Sequence, residues 1–201
     1  MAAPRSAALY PIQVLVAYDS PSEMMSTLAE RIAEGARMIG GVEARLLPVD
    51  ERFLTTPAAS TPGVGQAAPT GSAVGYSQLA QVDAIIVGIP AAPLGADGSP
   101  VQRLFGDDHL AKHGAPAQAD VFRNKVGAAF PAVEGVSGQV FVSLTTRLMD
   151  LGMIMVTPSR RTHMFDAAST PGAASGASAG LERPLTEAAQ EAARQFGRRV
   201  A

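Results

Sequence analysis

One feature constrains the fold of this chain more than any other. It is a short apolar run, followed by a polar turn and then by a helical pattern. Residues 12–18 are dominated by Val, Ile, Leu and Ala, a composition typical of a strand buried on both faces. Ser20-Pro21-Ser22 then ends the strand and supplies hydroxyl groups that can cap a helix. Apolar residues at helical spacing predict a helix over about 22–39. In an open α/β sheet the turn between such a strand and helix lies where ligands bind, and helix N-termini attract anions.

The rest of the chain repeats this strand and helix alternation. Further strands are predicted at 42–49 (with Leu46, Leu47 and Val49 buried), 83–90, 124–130 and 152–156. Helices are predicted at 77–82, 100–110, 139–151 and 184–200. This order predicts an α/β fold with a five-stranded parallel sheet and helices on both faces. Right-handed crossovers then place the loops that follow the first, third and fourth strands at one rim.

Composition excludes several functional classes. A length of 201 residues with 47% hydrophobic residues fits one domain spanning 1–201. The net charge of −2 gives no reason to expect a nucleic-acid partner, and the lack of cysteine excludes disulfides and thiolate chemistry. No apolar run is long enough to span a membrane, and the first ten residues do not resemble a signal peptide. We therefore expect a cytoplasmic protein without a membrane partner.

Three stretches rich in small or turn-forming residues lie outside these elements. Residues 1–11 are predicted to form an N-terminal arm, and 50–75 and 159–183 are predicted to be long surface loops. Loops of this length in compact domains are usually either disordered or functional. Residues 50–75 therefore have two interpretations, a disordered linker or a loop that folds over a ligand or a neighbouring subunit.

Several motifs occur in an order that one family shares. They are Val14-Leu15-Val16 with Tyr18 and Ser20, Ala33-Glu34-Gly35-Ala36, Asp83-Ala84-Ile85-Ile86 with Gly88 and Pro90, Leu151-Gly152-Met153, and Phe165-Asp166 followed by Thr170-Pro171-Gly172. With these motifs the chain resembles the WrbA family over nearly its whole length. That family consists of flavodoxin-like, FMN-dependent NAD(P)H:quinone oxidoreductases. The resemblance implies FMN as cofactor, NAD(P)H as electron donor, a quinone as acceptor in a ping-pong cycle, and a homo-oligomer, either a dimer or a tetramer.

The resemblance also implies where FMN would lie, namely on the rim formed by three loops. Backbone N–H groups at Ser22–Met25 and the hydroxyls of Ser20, Ser22 and Ser26 would hold its phosphate. The predicted cofactor-binding residues are Ser20, Ser22, Glu23, Met24 and Met25 in the first loop, Ala91, Ala92, Pro93, Leu94 and Gly95 in the second, and Pro131, Ala132, Val133, Gly135 and Ser137 in the third. No catalytic side chain is predicted, because the flavin carries the chemistry.

All three loops depart from the family pattern. Pro21 lacks a backbone N–H, and Glu23 and Met24 stand where the family has Gly and His. A carboxylate beside a phosphate repels it by roughly 1 kcal/mol or more. The second loop also lacks the Thr, Arg and Phe of the family. Two main hypotheses therefore stay open: an FMN-dependent oxidoreductase, or a WrbA-like scaffold that has lost FMN and acts as a structural or regulatory subunit. The remaining alternative is a protein that binds a changed cofactor or another small molecule on the same rim.

Other candidate ligands have simpler interpretations. His109 and His113 have the i, i+4 spacing of a metal-chelating pair, but the glycines on either side favour a solvated helix end, so we predict no metal site. Arg160, Arg161 and His163 form a basic patch that either holds a nicotinamide phosphate or is a solvated loop. Five methionines, at 24, 25, 149, 153 and 155, are predicted to fill gaps in the core.

Overall fold

The computed structural model describes residues 10–19, 23–49, 79, 81–89, 99–106, 119–131, 138–158 and 185–201. The strands in this part of the chain are β1 (Ile12–Asp19), β2 (Val42–Val49), β3 (Ala84–Ile89), β4 (Val126–Pro131) and β5 (Ile154–Val156). The helices are α1 (Glu23–Arg37), α2 (Pro100–Leu104), α3 (Ala119–Phe122), α4 (Gly138–Asp150) and α5 (Glu187–Val200). None of the described helices is both long and apolar enough to cross a membrane.

The five strands form one sheet in the order β2-β1-β3-β4-β5, and every neighbouring pair is parallel. This confirms the predicted five-stranded parallel sheet. The order is that of flavodoxin-like folds, in which the chain winds outward in both directions from the first strand. The direction of winding therefore changes between β1 and β3, and this pair of strands is the topological switch point of the sheet.

Burial along the strands follows their place in the sheet. All six residues of the central strand β3 are buried, as are the last six of β1. In the edge strand β2 burial alternates up to Arg45 and then shifts by one residue, because Val42 and Ala44 pack on one face of the sheet and Leu47 and Val49 on the other. Leu47 and Val49 are buried as expected, whereas Leu46 is only half-buried and the prediction for that residue was wrong.

Helices pack on both faces of the sheet, as predicted. One face carries α1 and α5, whose apolar side chains meet residues such as Val14, Val16 and Ile86. The opposite face carries α2, α3 and α4, packed on the alternate residues of the same strands. On that face the rings of Phe105 and Phe122 meet edge to face with centroids 6.0 Å apart.

Helices α1 and α5 approach each other so closely that their backbones are in contact. A Cβ at Gly35 would lie 2.0 Å from the carbonyl oxygen of Arg194, and one at Gly197 would lie 1.9 Å from that of Ile32. Glu34 bonds Arg31 at 2.8 Å and Arg194 at 3.2 Å beside this crossing, and these two partners lower the pKa of its carboxyl. The close crossing of α1 and α5 therefore requires glycine at both positions.

Hydrogen bonds connect the strands at the amino-terminal edge of the sheet. The backbone N–H of Gln13 donates to Oδ2 of Asp83 at 2.8 Å, and the N–H of Asp83 donates to the carbonyl of Gln13 at 2.8 Å. Val126 then donates to the carbonyl of Asp83 at 3.0 Å. The ammonium group of Lys125 donates to the carbonyl of Val82, and burial lowers the pKa of this lysine. The amino-terminal edge is thus tied across β1, β3 and β4.

Several element boundaries differ from the predicted ones. Helix α2 begins at Pro100 as expected, with a capping box between Ser99 and Gln102, but it ends at Leu104 rather than at residue 110 because Phe105 leaves helical geometry. Strand β4 begins at Val126 rather than at residue 124, because Asn124 adopts a left-handed turn with φ of 64°. Strand β5 begins at Ile154 rather than at residue 152.

Among the methionines, Met25 and Met153 are buried in the core and Met24 and Met155 are partly buried against it. The prediction for Met149 was wrong, because half of this residue is exposed on α4. The arm up to residue 9 and the loops 50–75 and 159–183 lie outside the described residues, as do residues 77, 78 and 80 of the predicted helix 77–82.

Candidate functional site

The carboxyl ends of β1, β3 and β4 lie side by side at one edge of the sheet. Tyr18 pairs with Gly88, and Gly88 pairs with Phe130, so these three residues form one row across the strands. One residue further along, Asp19 ends β1, and Ile89 pairs with Pro131 at the ends of β3 and β4. Because neighbouring strands are about 4.8 Å apart, the ends of all three fall within about 10 Å. The loops after these strands therefore leave the sheet from one edge, as predicted.

An apolar cluster closes the space directly beneath this edge. Met25, in the first turn of α1, is fully buried, and Phe130 is almost fully buried. Both pack on β3 where Gly88 has no side chain: a Cβ there would lie 2.7 Å from Cζ of Phe130 and 2.8 Å from Sδ of Met25. This cluster fixes the first turn of α1 against the switch point, so that the helix N-terminus faces the carboxyl edge.

The first turn of α1 brings helix N–H groups to the edge. Backbone N–H groups in the first turn of an α-helix have no partner within the helix, and they carry the positive end of the helix dipole. Glu23 is exposed there and Met24 is half-buried. The hydroxyls of Ser26 and Thr27 each donate to the carbonyl oxygen of Glu23 at 2.9 Å. The hydroxyl of Ser26, predicted to hold a phosphate, thus bonds its own helix.

Asp19 is a functional candidate that sequence reasoning missed. It is the last residue of β1 and only 8% exposed, one of two buried polar residues in the described part of the chain. Asp19 takes part in a polar or electrostatic contact within the chain, as expected for a buried carboxylate. The signal in the sequence is a charged residue that directly follows an apolar strand. Asp19 and Glu23 therefore stand on either side of residues 20–22 in the chain, and those three residues lie outside the described part.

Tyr18 lies one residue below Asp19, with its side chain in the core beneath α1. Burial raises the pKa of its phenol, and the nearby carboxylate of Glu30 raises it further. The phenol therefore stays protonated in neutral solution, and Tyr18 adds no charge to the edge.

The structure describes four of the predicted cofactor-binding residues. Glu23 and Met24 lie in the first turn of α1 at the carboxyl edge, and Pro131 is the half-buried last residue of β4. The side chain of Met25 is fully buried, so only its backbone can face a ligand. The other predicted residues lie outside the described part of the chain: Ser20, Ser22, Ala91, Ala92, Pro93, Leu94, Gly95, Ala132, Val133, Gly135 and Ser137. The same holds for His109, His113, Arg160, Arg161 and His163.

Proteins of known structure share the architecture over nearly the whole chain. An oxidoreductase from Corynebacterium diphtheriae is 12% identical, with a TM-score of 0.52 over 95% of this chain and 95% of that one. A flavodoxin from the domain Archaea is 15% identical, with a TM-score of 0.49 over 94% and 96% of the two chains. A diflavin flavoprotein A3 from Nostoc is 12% identical, with a TM-score of 0.49 over 94% and 91%.

No protein-family model matches the sequence. At 12% identity, the similarity to the Corynebacterium diphtheriae structure bears on the fold and not on the activity. It agrees with the strand order and with the parallel pairing described above. The chain has a flavodoxin-like fold, and what it binds has to be argued from its own residues.

Proposed function

We propose that this chain is a flavin-dependent oxidoreductase resembling the WrbA family, which reduces quinones with electrons from NAD(P)H. The observation that carries the proposal is the convergence of the ends of β1, β3 and β4 with the first turn of α1. In open α/β sheets, ligands bind outside the carboxyl ends of the strands at the switch point, which is where flavodoxin-like proteins bind FMN. The sequence motifs shared with the WrbA family point to the same place.

A bound flavin would supply the redox chemistry, accepting a hydride from NAD(P)H and reducing the quinone in a separate half-reaction. The chain would bind the flavin, orient it and exclude water. The cluster of Met25, Gly88 and Phe130 keeps the first turn of α1 in place beneath the ligand. Main-chain N–H groups at Glu23 and Met24 would contact the end of the ligand nearest the helix. Ile89 and Pro131 mark where the second and third loops leave the sheet towards it.

The backbone at this edge fits FMN, whereas the described side chains do not favour its phosphate. The strand ends and the helix N-terminus fit a flavin with a phosphate at the first turn. Among the described side chains there, Glu23 is an exposed carboxylate and the hydroxyl of Ser26 bonds within α1, so neither favours the phosphate. The proposal therefore concerns a flavin ring at the switch point, and its test uses flavins with and without a phosphate.

An absorption and turnover experiment tests the proposal. Purified protein incubated with excess FMN or riboflavin and then freed of unbound flavin should be yellow. NADH or NADPH should bleach the flavin bands under anaerobic conditions, and benzoquinone should restore them. Protein that retains neither flavin, at any ratio tried, would refute the proposal.

A second candidate is a WrbA-like scaffold that no longer binds flavin and serves as a structural or regulatory subunit. It is favoured by the second loop, where Ala91-Ala92-Pro93-Leu94-Gly95 offers none of the Thr, Arg and Phe side chains of the family. Persistent lack of colour, together with a discrete oligomer, would favour the scaffold over the enzyme.

The resemblance also favours a homo-oligomer, either a dimer or a tetramer, in which neighbouring subunits help to close the site. Light scattering coupled to size-exclusion chromatography tests this directly, because the mass of one chain is 20.6 kDa. A mass of two or four chains is expected, and a strictly monomeric protein would contradict it.

A further inference from the structure

Strand β2 is the longer of the two edge strands of the sheet. Among the described strands β2 and β5 lie at the edges, and β2 has eight residues whereas β5 has three. A long edge strand presents a row of backbone N–H and C=O groups to which a strand of another molecule can add. Natural proteins protect such edges against unwanted pairing, so a protective contact is expected on β2.

The register with β1 decides which backbone groups of β2 face away from the sheet. The N–H of Ile12 donates to the carbonyl of Gly41 at 2.8 Å, and Ile12 pairs with Val42. Bonds in a parallel ladder are evenly spaced and recur at every second residue, so the odd-numbered residues of β2 bond β1. The residues whose backbone groups face outward are therefore Val42, Ala44, Leu46 and Pro48.

The two ends of this outward row offer no free donor. The N–H of Val42 donates to the carbonyl of Ile39 at 3.2 Å, within the turn that follows α1. Pro48 has no N–H group, and proline on an edge strand cannot donate to an added strand. An incoming strand could therefore accept hydrogen bonds only from Ala44 and Leu46, in the middle of the row.

The middle of the row is occupied by a side chain of α1. Arg37 is the last residue of this helix, and its Nε donates to the carbonyl oxygen of Ala44 at 3.0 Å. Nη2 of the same side chain donates to the same oxygen. The guanidinium group thus lies against the outer edge of β2. A strand that pairs with Ala44 would have to displace it and break two charge-assisted hydrogen bonds.

The charges of β2 itself would favour pairing with a second copy. If two copies of β2 paired antiparallel about Ala44, Glu43 of each copy would lie opposite Arg45 of the other. Opposite charges across an antiparallel pair are stabilising. Both side chains are exposed, so they are available for such contacts. Any protection of this edge must therefore come from other residues.

From these contacts we infer that Arg37, assisted by Pro48, closes the β2 edge to strand addition by a second copy of this chain. The bond from Arg37 to Ala44 is an autoinhibitory contact against self-association. The inference does not depend on flavin binding, because no loop of the candidate site includes this contact. It also restricts the expected homo-oligomer to surfaces other than the β2 edge.

Sedimentation velocity of the full chain over a series of concentrations tests the inference. Arg37→Leu should self-associate beyond the wild-type mass, with a dissociation constant about tenfold lower for that step, as expected when one or two further hydrogen bonds form. Arg45→Leu is the matched control, since it removes the same charge from β2 without freeing the Ala44 carbonyl. This control should keep the wild-type mass. Equal association of the two variants would overturn the inference.

Amide hydrogen exchange separates strand addition from general adhesion. In Arg37→Leu the amides of Ala44 and Leu46 should exchange more slowly as protein concentration rises, whereas in wild type and Arg45→Leu their exchange should not depend on concentration. Association without added protection at these two amides would also overturn the inference. Arg37→Gln is measured alongside and should change in the same direction, so that a loss of folding in the leucine variant leaves the test intact.

Discussion

The two edges of the sheet differ in what their polar groups contact. At the amino-terminal edge, Asp83 joins β1 and β4 through bonds to Gln13 and Val126, and Lys125 bonds the carbonyl of Val82. At the carboxyl-terminal edge, a fully packed apolar layer under Gly88 supports two carboxylates, Asp19 and Glu23, and the starting points of three loops. Polar groups at the first edge join the strands to one another, whereas Asp19 and Glu23 stand at the end of β1 and the start of α1, where the first of these loops begins and ends.

The difference shows how this fold separates stability from binding. Substitutions at the amino-terminal edge should lower stability without changing ligand affinity, because no loop of the candidate site begins there. Side chains at the carboxyl-terminal edge act through α1, whose position depends on the crossing with α5 and on the layer beneath it. Changes at this edge should therefore affect both stability and flavin affinity.

The largest effect is expected where α1 crosses α5. Gly35→Ala and Gly197→Ala each place a Cβ within 2.0 Å of a main-chain oxygen on the other helix, so the helices must move apart. Each should lower the free energy of unfolding by about 3 kcal/mol and weaken flavin binding. Gly40→Ala is the matched control, because nothing lies within 4 Å of its added Cβ. Urea denaturation measures all three, and equal stability of the variants and the control would refute the close crossing.

A second pair of glycine variants compares the two edges directly. Gly88→Ala at the carboxyl side would displace Met25 and Phe130, and Gly127→Ala near the amino side would displace Met153 and Met155. Both should cost about 1–2 kcal/mol of unfolding free energy, since each overpacks a buried strand. Only Gly88→Ala should also weaken riboflavin binding. If Gly127→Ala weakens binding as much, the site does not depend on the carboxyl edge.

A smaller loss of stability is expected at the amino-terminal edge from Asp83→Ala. This variant leaves the N–H of Gln13 without its carboxylate acceptor, which should cost about 1–2 kcal/mol. Flavin affinity should be unchanged, because the residue lies at the opposite end of the strands. Asp150→Ala, at an exposed position on α4, should change stability by less than about 0.5 kcal/mol. A change in flavin affinity in Asp83→Ala would contradict the separation of the two edges.

The smallest expected effect concerns how the free energy of unfolding changes with pH in alkaline solution. Lys125 and Tyr18 should contribute slopes of opposite sign. The pKa of Lys125 is lowered by burial below its ordinary 10.5. Between the folded-state pKa and 10.5 the unfolded chain thus binds more protons, and stability rises with pH. The pKa of Tyr18 is raised above 10.0 by burial and by Glu30, so above pH 10.0 the unfolded chain binds fewer protons and stability falls.

Denaturation curves from about pH 8 to about pH 11 measure these slopes. Lys125→Met should remove the rising contribution, and Tyr18→Phe should remove the falling one. Variants that change the slope in the same direction would show that one of the two pKa shifts has the wrong sign.

The strands and the order of the elements could be predicted because each depends on local composition. The apolar runs of β1 and β3 and the alternation in β2 are visible in the sequence, and the crossover rules then bring three loops to one edge. Ends of elements were less predictable. Helix α2 ends six residues early at Leu104, where its last turn tightens, and Asn124 delays β4 through a left-handed turn.

Features that depend on distant partners could not be predicted from the sequence. Met149 fits the helical pattern of α4 but lies on a side of the helix that is half exposed among the described residues. The contact of Gly35 with Arg194 joins helices that are far apart in sequence. Burial of Asp19 follows from the neighbours of β1, which its local sequence does not reveal. At the candidate site, sequence reasoning found Glu23 as the unusual residue and missed the second carboxylate.

The central claim is that the carboxyl edge at the switch point, and no other described surface, binds a flavin. Amide chemical shifts of isotope-labelled protein, followed while riboflavin is added, test this residue by residue. The largest changes should fall on Asp19, Met24 and Ile89, while Gln13, Asp83 and Lys125 at the opposite edge should not shift. Changes confined to the amino-terminal edge, or an unchanged spectrum at saturating riboflavin, would contradict the account.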